Sequence, residues 1–525
     1  MQRESQRPKK EGPGGPATPS ETQQQQQQQE AASAAPDPAR IWLPELVQRY
    51  ARSLPCNEDR TVRLSQPVPR HAFVWRWGDV GAMRSFTRRQ WSRLMCLTAG
   101  SGSIANLEVL LARNDGACEL SNAVMSAAAG AGQLEVCRWL RQRGCPWDSF
   151  TLGAAAEGGH QDVCEWLLAS GCPWSVWAAG RAARGGHVGL MDWLLLLRTG
   201  RPAGRVGCLI DLLSSVAAGC DLPTLQRLHS MNLLYAHSQL DEHCRDCVMA
   251  AAAGSLTADW RAKVEWLEGQ GFPRTAKACV EAVKQPDWRG RLQWLQQRGY
   301  PLDTYAAAEA AAVGAVDALQ LMLDSGVALG YPQVEYVCGR RGCRGGHLAV
   351  LQMLHARGFN IAERANAAQP LHVPVLAWLL ETLGASKVLS VRLFRAAAEF
   401  GIMELMAWLY EQGCPWDESV FAAAAQAGCE AQLEWLAALG CPMGEEGEPY
   451  MRALRTGNLA TLRCLQRLGC PWGPVLRSGA AQEAAAGQGA RNEELRAWVQ
   501  QQRQQHQLPT GDPRGGAGAG SSRRL

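Results

Sequence analysis

The sequence predicts an all-α chain, a solenoid of stacked helix pairs, and three features carry that reading. The first is a turn signal that returns five times: Gly144-Cys145-Pro146-Trp147, Gly171-Cys172-Pro173-Trp174, Gly413-Cys414-Pro415-Trp416, Gly440-Cys441-Pro442 and Gly469-Cys470-Pro471-Trp472. The second is a mark five residues before the turn position, in most cases followed by Leu: Trp139, Trp166, Trp193, Trp266, Trp294, Leu321, Met353, Trp408, Trp435 and Cys464. Neighbouring marks often stand about 27 residues apart, as from Trp139 to Trp166 to Trp193, and such a period belongs to units that cannot bury their own apolar face. The third is an alanine run in the other half of the unit, at 127–129, 154–156, 250–253, 306–308, 396–398 and 422–425.

The 525 residues exceed what one globular core usually occupies, but a solenoid grows by adding units, so length does not count domains here. A formal charge of +4 on so long a chain makes no electrostatic case for a nucleic-acid or membrane partner. The apolar run Trp193 to Leu197 stops at Arg198, far short of the roughly 18 residues of a membrane span, and a soluble chain is expected. Many of the 19 cysteines sit at equivalent repeat positions, where successive sulfurs need not come within bonding reach. With no leader-like segment before them, they are expected as reduced thiols in the cytoplasm.

Residues 1–39 hold Arg7-Pro8-Lys9-Lys10, a Gly/Pro-rich patch and a glutamine run from Gln23 to Gln29, too few apolar groups to offset chain ordering, so a disordered tail is expected. Its basic cluster reads as a solvated stretch sooner than as a nuclear address, which leaves the nucleus a second choice of compartment. Residues 40–100 read as an N-terminal helical cap. Pro44 suits a first helical turn, and Leu43, Leu46, Val47 and Tyr50 share one face. Phe73, Trp75, Trp77, Phe86, Trp91, Leu94 and Leu97 supply apolar weight for the cap that a terminal unit needs.

Repeats are expected over 101–503. In the clearest unit Asp148 is the N-cap, Gly158-Gly159 the turn, Val163, Trp166 and Leu167 the apolar stripe, and Gly171 with Pro173 the stop. Helices of about ten residues are not stable alone in water, so stacking is compulsory. Small Ala-rich helices approach more closely than the Trp-bearing ones, which puts them on the concave side. The phase weakens at 198–260, where Thr224 to Leu228 read as a diverged second helix, and again at 359–395, where Val375 to Leu379 keep it. A last helix over Asn492 to Gln501 is expected as the closing cap, followed by a disordered tail over 504–525.

The pattern A-A-x-x-G-H-x-x-V-x-x-x-L-x-x-x-G, clearest around Gly159-His160, Gly186-His187 and Gly346-His347, resembles the ankyrin repeat in its short Trp-rich form from algae, protists and giant viruses. The chain lacks the 33-residue length and T-P-L-H opening of a full ankyrin unit, so the resemblance implies short fingers built on Gly-Cys-Pro-Trp and binding by helix faces. The run from Leu43 and Pro44 through Leu46 to Leu54-Pro55 resembles the opening of an F-box. That likeness implies that Leu43, Pro44, Leu46, Leu54 and Pro55 dock a Skp-type adaptor of a cullin ubiquitin ligase. The continuation through Thr61 to Pro67 departs from the F-box pattern.

His160, His187 and His347 recur in phase, as structural side chains at the interhelical turn would and a catalytic group would not. His243-Cys244-Arg245-Asp246-Cys247, and Cys338 with Cys343 and His347, each look like half a zinc site. Neither has the second ligand pair, so no metal or other cofactor is expected. The second-helix tryptophans are expected in the core, buried by the next unit, and not as stacking platforms for RNA. The turn tryptophans Trp147, Trp174, Trp416 and Trp472 are the candidate partner anchors or, in a plainer role, staples between turns.

The reading is thus a non-enzymatic scaffold that holds protein partners on the concave face, in its sharper form a substrate adaptor of a ubiquitin ligase. The alternative is a helical-repeat RNA-binding protein, against which the near-neutral charge counts. No membrane partner is expected, and the repeat itself does not name the partner.

Overall fold

A computed structural model of the chain describes residues 67–78, 84–112, 120–197, 207–235, 241–329, 346–359, 372–476, 481 and 492–505. All of these belong to one compact unit, 55–525. The tail over 1–39 and the segment holding Leu43, Pro44, Leu46, Leu54 and Pro55 lie outside the described residues, as does 506–525; residues 504 and 505 end the Asn492–Gln505 helix. Among the described residues there are 27 α-helices and no strand, with one 3-10 turn at Gly473–Leu476. None of these helices is long and apolar enough to cross a membrane.

The pair Ser149–Glu157 and Gln161–Ala169 shows how the sequence makes a unit. Asp148, in extended backbone, accepts hydrogen bonds from the amides of Phe150 (3.0 Å) and Thr151 (3.2 Å), which satisfies donors the first turn would otherwise leave open. The glycine pair 158–159 turns the chain, and the second helix buries Val163, Cys164 and Leu167 completely. A leucine buried to that degree contributes about 2 kcal/mol. Eleven complete pairs are described, from Arg88–Gly100 with Ile104–Ala112 to Glu448–Thr456 with Leu459–Arg467, and Leu348–Ala356 and Val373–Leu383 lie in phase as second helices. The weak stretch after residue 198 holds a full pair, Gly207–Gly219 and Leu222–Tyr235, the latter burying Leu225 and Leu228.

First helices of successive units pack closely along the stack, while second helices scarcely meet. A methyl group built on Gly130 would lie 3.4 Å from the Cβ of Ala154 in the next unit, so the alanine row lets backbone approach backbone. The bulkier second helices are held apart, which makes the alanine side the tight side.

The second-helix tryptophans depart from expectation. Trp139, Trp166, Trp193, Trp266, Trp294, Trp378, Trp408 and Trp435 are all half-buried, and only Cys464 at that position is buried. The buried stripe runs through the positions three and two before the mark and one after it. At about 100° per residue that places the Trp on the flank of the stripe. There five of the rings meet an aromatic group: Trp166 meets Trp147, Trp266 meets His229, Trp294 meets Trp260, Trp378 meets His355 and Trp435 meets Tyr410, with centroids 5.1–6.0 Å apart.

In the expected cap, Phe73, Trp77 and Trp91 are buried, whereas Trp75 is 56% exposed. The Arg88–Gly100 helix also behaves as a first helix, packing on Asn122–Gly130 as later first helices pack on theirs. Its start touches far more distant residues. The Arg84 carbonyl accepts from the Ala431 amide (2.9 Å) and the Cys429 thiol (3.4 Å), and the Arg84 guanidinium pairs with Glu430 and Glu434. Arg88 donates to the Thr456 carbonyl at 2.6 Å, and Arg89 lies over the Phe400 ring. Replacing Arg84 by Lys keeps the charge and adds an amine that a carbodiimide can couple to a carboxylate. The expected product is a cross-linked fragment joining residue 84 to residue 430 or 434, read by peptide mass spectrometry; its absence would refute the contact.

Candidate partner-binding face

The exposed face of the first helices carries side chains that differ from unit to unit. Most are small or charged, but Phe150, Trp177 and Tyr305 are 65%, 49% and 67% exposed. Phe150 and Trp177 sit at equivalent places on the neighbouring helices Ser149–Glu157 and Val176–Arg184, with ring centroids 6.0 Å apart, edge to face. Arg181 beside them pairs with Glu157 of the preceding unit. Further along, Lys277 faces Asp246 (3.8 Å), Lys284 lies between Glu281 (2.7 Å) and Glu309 (3.7 Å), and Arg452 pairs with Glu448 (3.0 Å). These cations are neutralised by carboxylates on the same face, so they do not form a continuous basic track for a phosphate backbone.

The finger turns are built from thiols and rings. The Cys145 thiol donates to the Ser121 carbonyl (3.4 Å), Cys172 to Asp148 (3.3 Å), Cys414 to Ser390 (3.5 Å) and Cys441 to Asp417 (3.8 Å). In each case the acceptor belongs to the N-cap residue of the first helix of the same unit, so the thiol ties the end of a unit to its beginning. Burial pushes Cys145 and Cys441 up to about 12 and Cys172 and Cys414 up to about 11, which keeps them as protonated thiols.

All four turn tryptophans are half-buried. Trp147 lies between the Arg141 guanidinium, 3.9 Å from its centroid, and the Trp166 ring. Trp416 leans on Phe394 and Tyr410, and Trp472 stacks on Tyr450 at 3.5 Å and meets Trp498 of the Asn492–Gln505 helix at 5.4 Å. Trp174 stands at the same turn position as Trp147, one unit on.

The histidines form a ladder between units. A Cβ placed on Gly132 would lie 2.5 Å from His160 Nδ1 of the next unit; His187 covers Gly159, His347 covers Gly314 and His372 covers Gly346 in the same way. His347 Nε2 is 3.1 Å from the Ala312 carbonyl, at the C-terminal end of the preceding first helix, where a donor meets an open acceptor. Sequence reasoning missed the two units that do this with cations. Lys263 is fully buried and donates to the carbonyls of Ala217 (2.7 Å) and Cys220 (2.8 Å) and to Ser255 Oγ (2.7 Å). Arg291 donates to the Ala253 carbonyl (2.7 Å) and pairs with Asp287 (2.6 Å). The signal was present as two copies of one pattern, Asp259-Trp260-Arg261-Ala262-Lys263 and Asp287-Trp288-Arg289-Gly290-Arg291, each followed by an apolar residue.

Two clusters could be taken for metal sites. Glu430, Glu434 and Cys464 offer ligand atoms within 4.8 Å of one another, but the Arg84 and Arg467 guanidiniums already pair with both carboxylates, so the site is filled by the protein's own cations. In His243-Cys244-Arg245-Asp246-Cys247, Cys244 is buried while Cys247 Sγ lies 3.7 Å from His243 Nε2, a pair and not a metal-binding set. Cys338 and Cys343 lie outside the described residues.

No known family matches the chain, and no curated protein matches it. Among solved structures, the crystal structure of the pentatricopeptide repeat protein PPR10 from maize is 13% identical with a TM-score of 0.25, covering 78% of this chain and 68% of that one. The same protein in complex with an 18-nucleotide psaJ RNA element aligns over 91% of this chain and 78% of that one, again at 13% identity and a TM-score of 0.25. So loose a likeness carries no inference about a ligand.

Proposed function

We propose that this chain is a non-enzymatic, ankyrin-like recognition solenoid that holds a protein partner on the exposed face of its first helices. The observation that carries this reading is the Phe150–Trp177 pair, two large rings left exposed on helices that otherwise bury their apolar side chains. Exposed aromatic side chains beside arginine are the residues that most often dominate an interface.

Trp147, Trp174, Trp416 and Trp472 support the face by stiffening the fingers, and their half-exposed rings extend it. The sharper form of the proposal has Leu43, Pro44, Leu46, Leu54 and Pro55 engage a Skp-type adaptor, so that the bound partner is delivered to a ubiquitin ligase; it rests on the sequence resemblance of that segment. The test compares the full chain with Phe150→Ala/Trp177→Ala and with a chain lacking residues 40–60. The double variant is expected to keep its helical signal and to bind the retained partner at least about tenfold more weakly. The deletion is expected to lose only the ligase subunits. Retention of the same partners at unchanged affinity by the double variant would overturn the binding face. Recovery of RNA, with binding that falls steeply with salt, would replace it with the nucleic-acid reading.

A further inference from the structure

Cys247 differs from the finger thiols. It lies half-buried on the exposed face of the Glu242–Ala253 helix, with two nitrogen groups beside its sulfur. Lys277, on the next first helix, donates from Nζ to Cys247 Sγ at 3.0 Å, and His243, one helical turn earlier, places Nε2 at 3.7 Å. Lys277 is itself held in place by Asp246 (3.8 Å), which accepts a hydrogen bond from Thr275. His243, Arg245 and Asp246 share its helix, Asp246 and Glu281 act on the Lys277 ammonium of the following one, and Asp211 of the preceding one acts on the neighbouring Cys244. Burial alone would lower the Lys277 ammonium; Cys247, Asp246 and Glu281 together hold it above the ordinary lysine value, so it remains a cation beside the sulfur.

From this geometry we propose that Cys247 is a thiol-exchange site that takes low-molecular-weight disulfides. The thiolate is the attacking form, the Lys277 ammonium lies in contact with the sulfur that carries that charge during attack, and partial exposure admits a small disulfide. The Cys247 proton passes to His243 or to water. The sulfur electron pair then forms a bond to one sulfur of the incoming disulfide as the old S–S bond breaks, and the other half leaves as a thiolate that takes up a proton. One disulfide is exchanged for another with no external oxidant. The product is a mixed disulfide standing on the exposed row of first helices, reversible by any small thiol.

The contrast with other thiols makes the proposal specific. Cys137, Cys145, Cys164, Cys279, Cys441 and Cys470 are buried and pushed up to about 12, and the half-buried Cys96 is also pushed up by burial. The test incubates the native full chain with glutathione disulfide at neutral pH and follows each cysteine peptide by mass spectrometry. Cys247 is expected to take the adduct at least about tenfold faster than Cys96 or any finger cysteine. Lys277→Met is expected to slow it about tenfold, Lys277→Arg to restore it, and His243→Ala to shift its pH profile, all with the thermal midpoint of the wild type. Cys247→Ser is expected to abolish that adduct alone. Modification of Cys247 no faster than of Cys96, or an unchanged rate in a folded Lys277→Met chain, would overturn the proposal.

Discussion

Lys263→Ala is expected to cost about 3–5 kcal/mol of unfolding free energy, the loss typical of removing one partner from a buried charged network. The Lys263 side chain is fully buried, and its three N–H donors meet three acceptors, the Ala217 and Cys220 carbonyls and Ser255 Oγ, with Asp259 Oδ1 at 3.9 Å. Alanine would leave the Ala217 and Cys220 carbonyls without the ammonium, with only the Ser255 hydroxyl still donating to Ala218 at the end of the Gly207–Gly219 helix, and open a cavity between two units. Lys263→Met, which refills much of the volume, is expected to recover part of the loss but not the carbonyl partners. Denaturant titration of the three chains decides it, and a loss below about 1 kcal/mol for the alanine variant would mean that the ammonium does not hold this junction. The same lysine gives a pH signature. Burial pushes it down to about 8 from 10.5, against the opposing pull of Asp259. Between those values the unfolded chain binds more protons than the folded one, so stability contributed through Lys263 rises with pH from about 8 to 10.5 and is flat below. The difference between wild type and Lys263→Met should follow that slope.

The ladder that Lys263 joins was half legible in the sequence. His160, His187 and His347 recur in phase, and periodicity alone separates a repeated structural group from a unique catalytic one. Lys263 and Arg291 stand three or four positions further along, inside the second helix, where a lone cation in an amphipathic pattern reads as a solvated side chain. What makes them structural is the open carbonyl end of a helix in the preceding unit, which no local pattern displays. The tryptophans fail for a related reason. Periodicity gives the direction of a side chain around its helix but not how far the neighbouring unit reaches, so Trp166 reads as core and stands on the flank. The contact of Arg84 with Glu430 and Glu434 joins residues some 350 positions apart and has no sequence signature at all. The helix pairs, the thiol fingers and the tight alanine side were legible because each unit repeats the same local chemistry.

Two glycines at opposite ends of one helix separate the cost of the turn from the cost of the ladder. Gly132 and Gly144 both adopt left-handed backbone, with φ of +73° and +76°. An alanine at either position carries the same conformational penalty, about 1–2 kcal/mol. Their surroundings differ. Nothing lies within 4 Å of a Cβ built on Gly144, whereas one on Gly132 would meet the His160 ring of the next unit, with Nδ1 at 2.5 Å and Cε1 at 2.6 Å. Gly144→Ala is therefore expected to lose about 1–2 kcal/mol and no more. Gly132→Ala must also push His160 out of its place between units, an overpacking cost of about 1–3 kcal/mol, for a total near 3 kcal/mol. If the ladder is the cause, Gly132→Ala combined with His160→Ala will recover part of that excess, because the second change removes the ring that the methyl strikes, while His160→Ala added to Gly144→Ala will only add its own cost. Equal losses for the two glycine variants would mean that the turns carry the strain and that the histidines merely cover them.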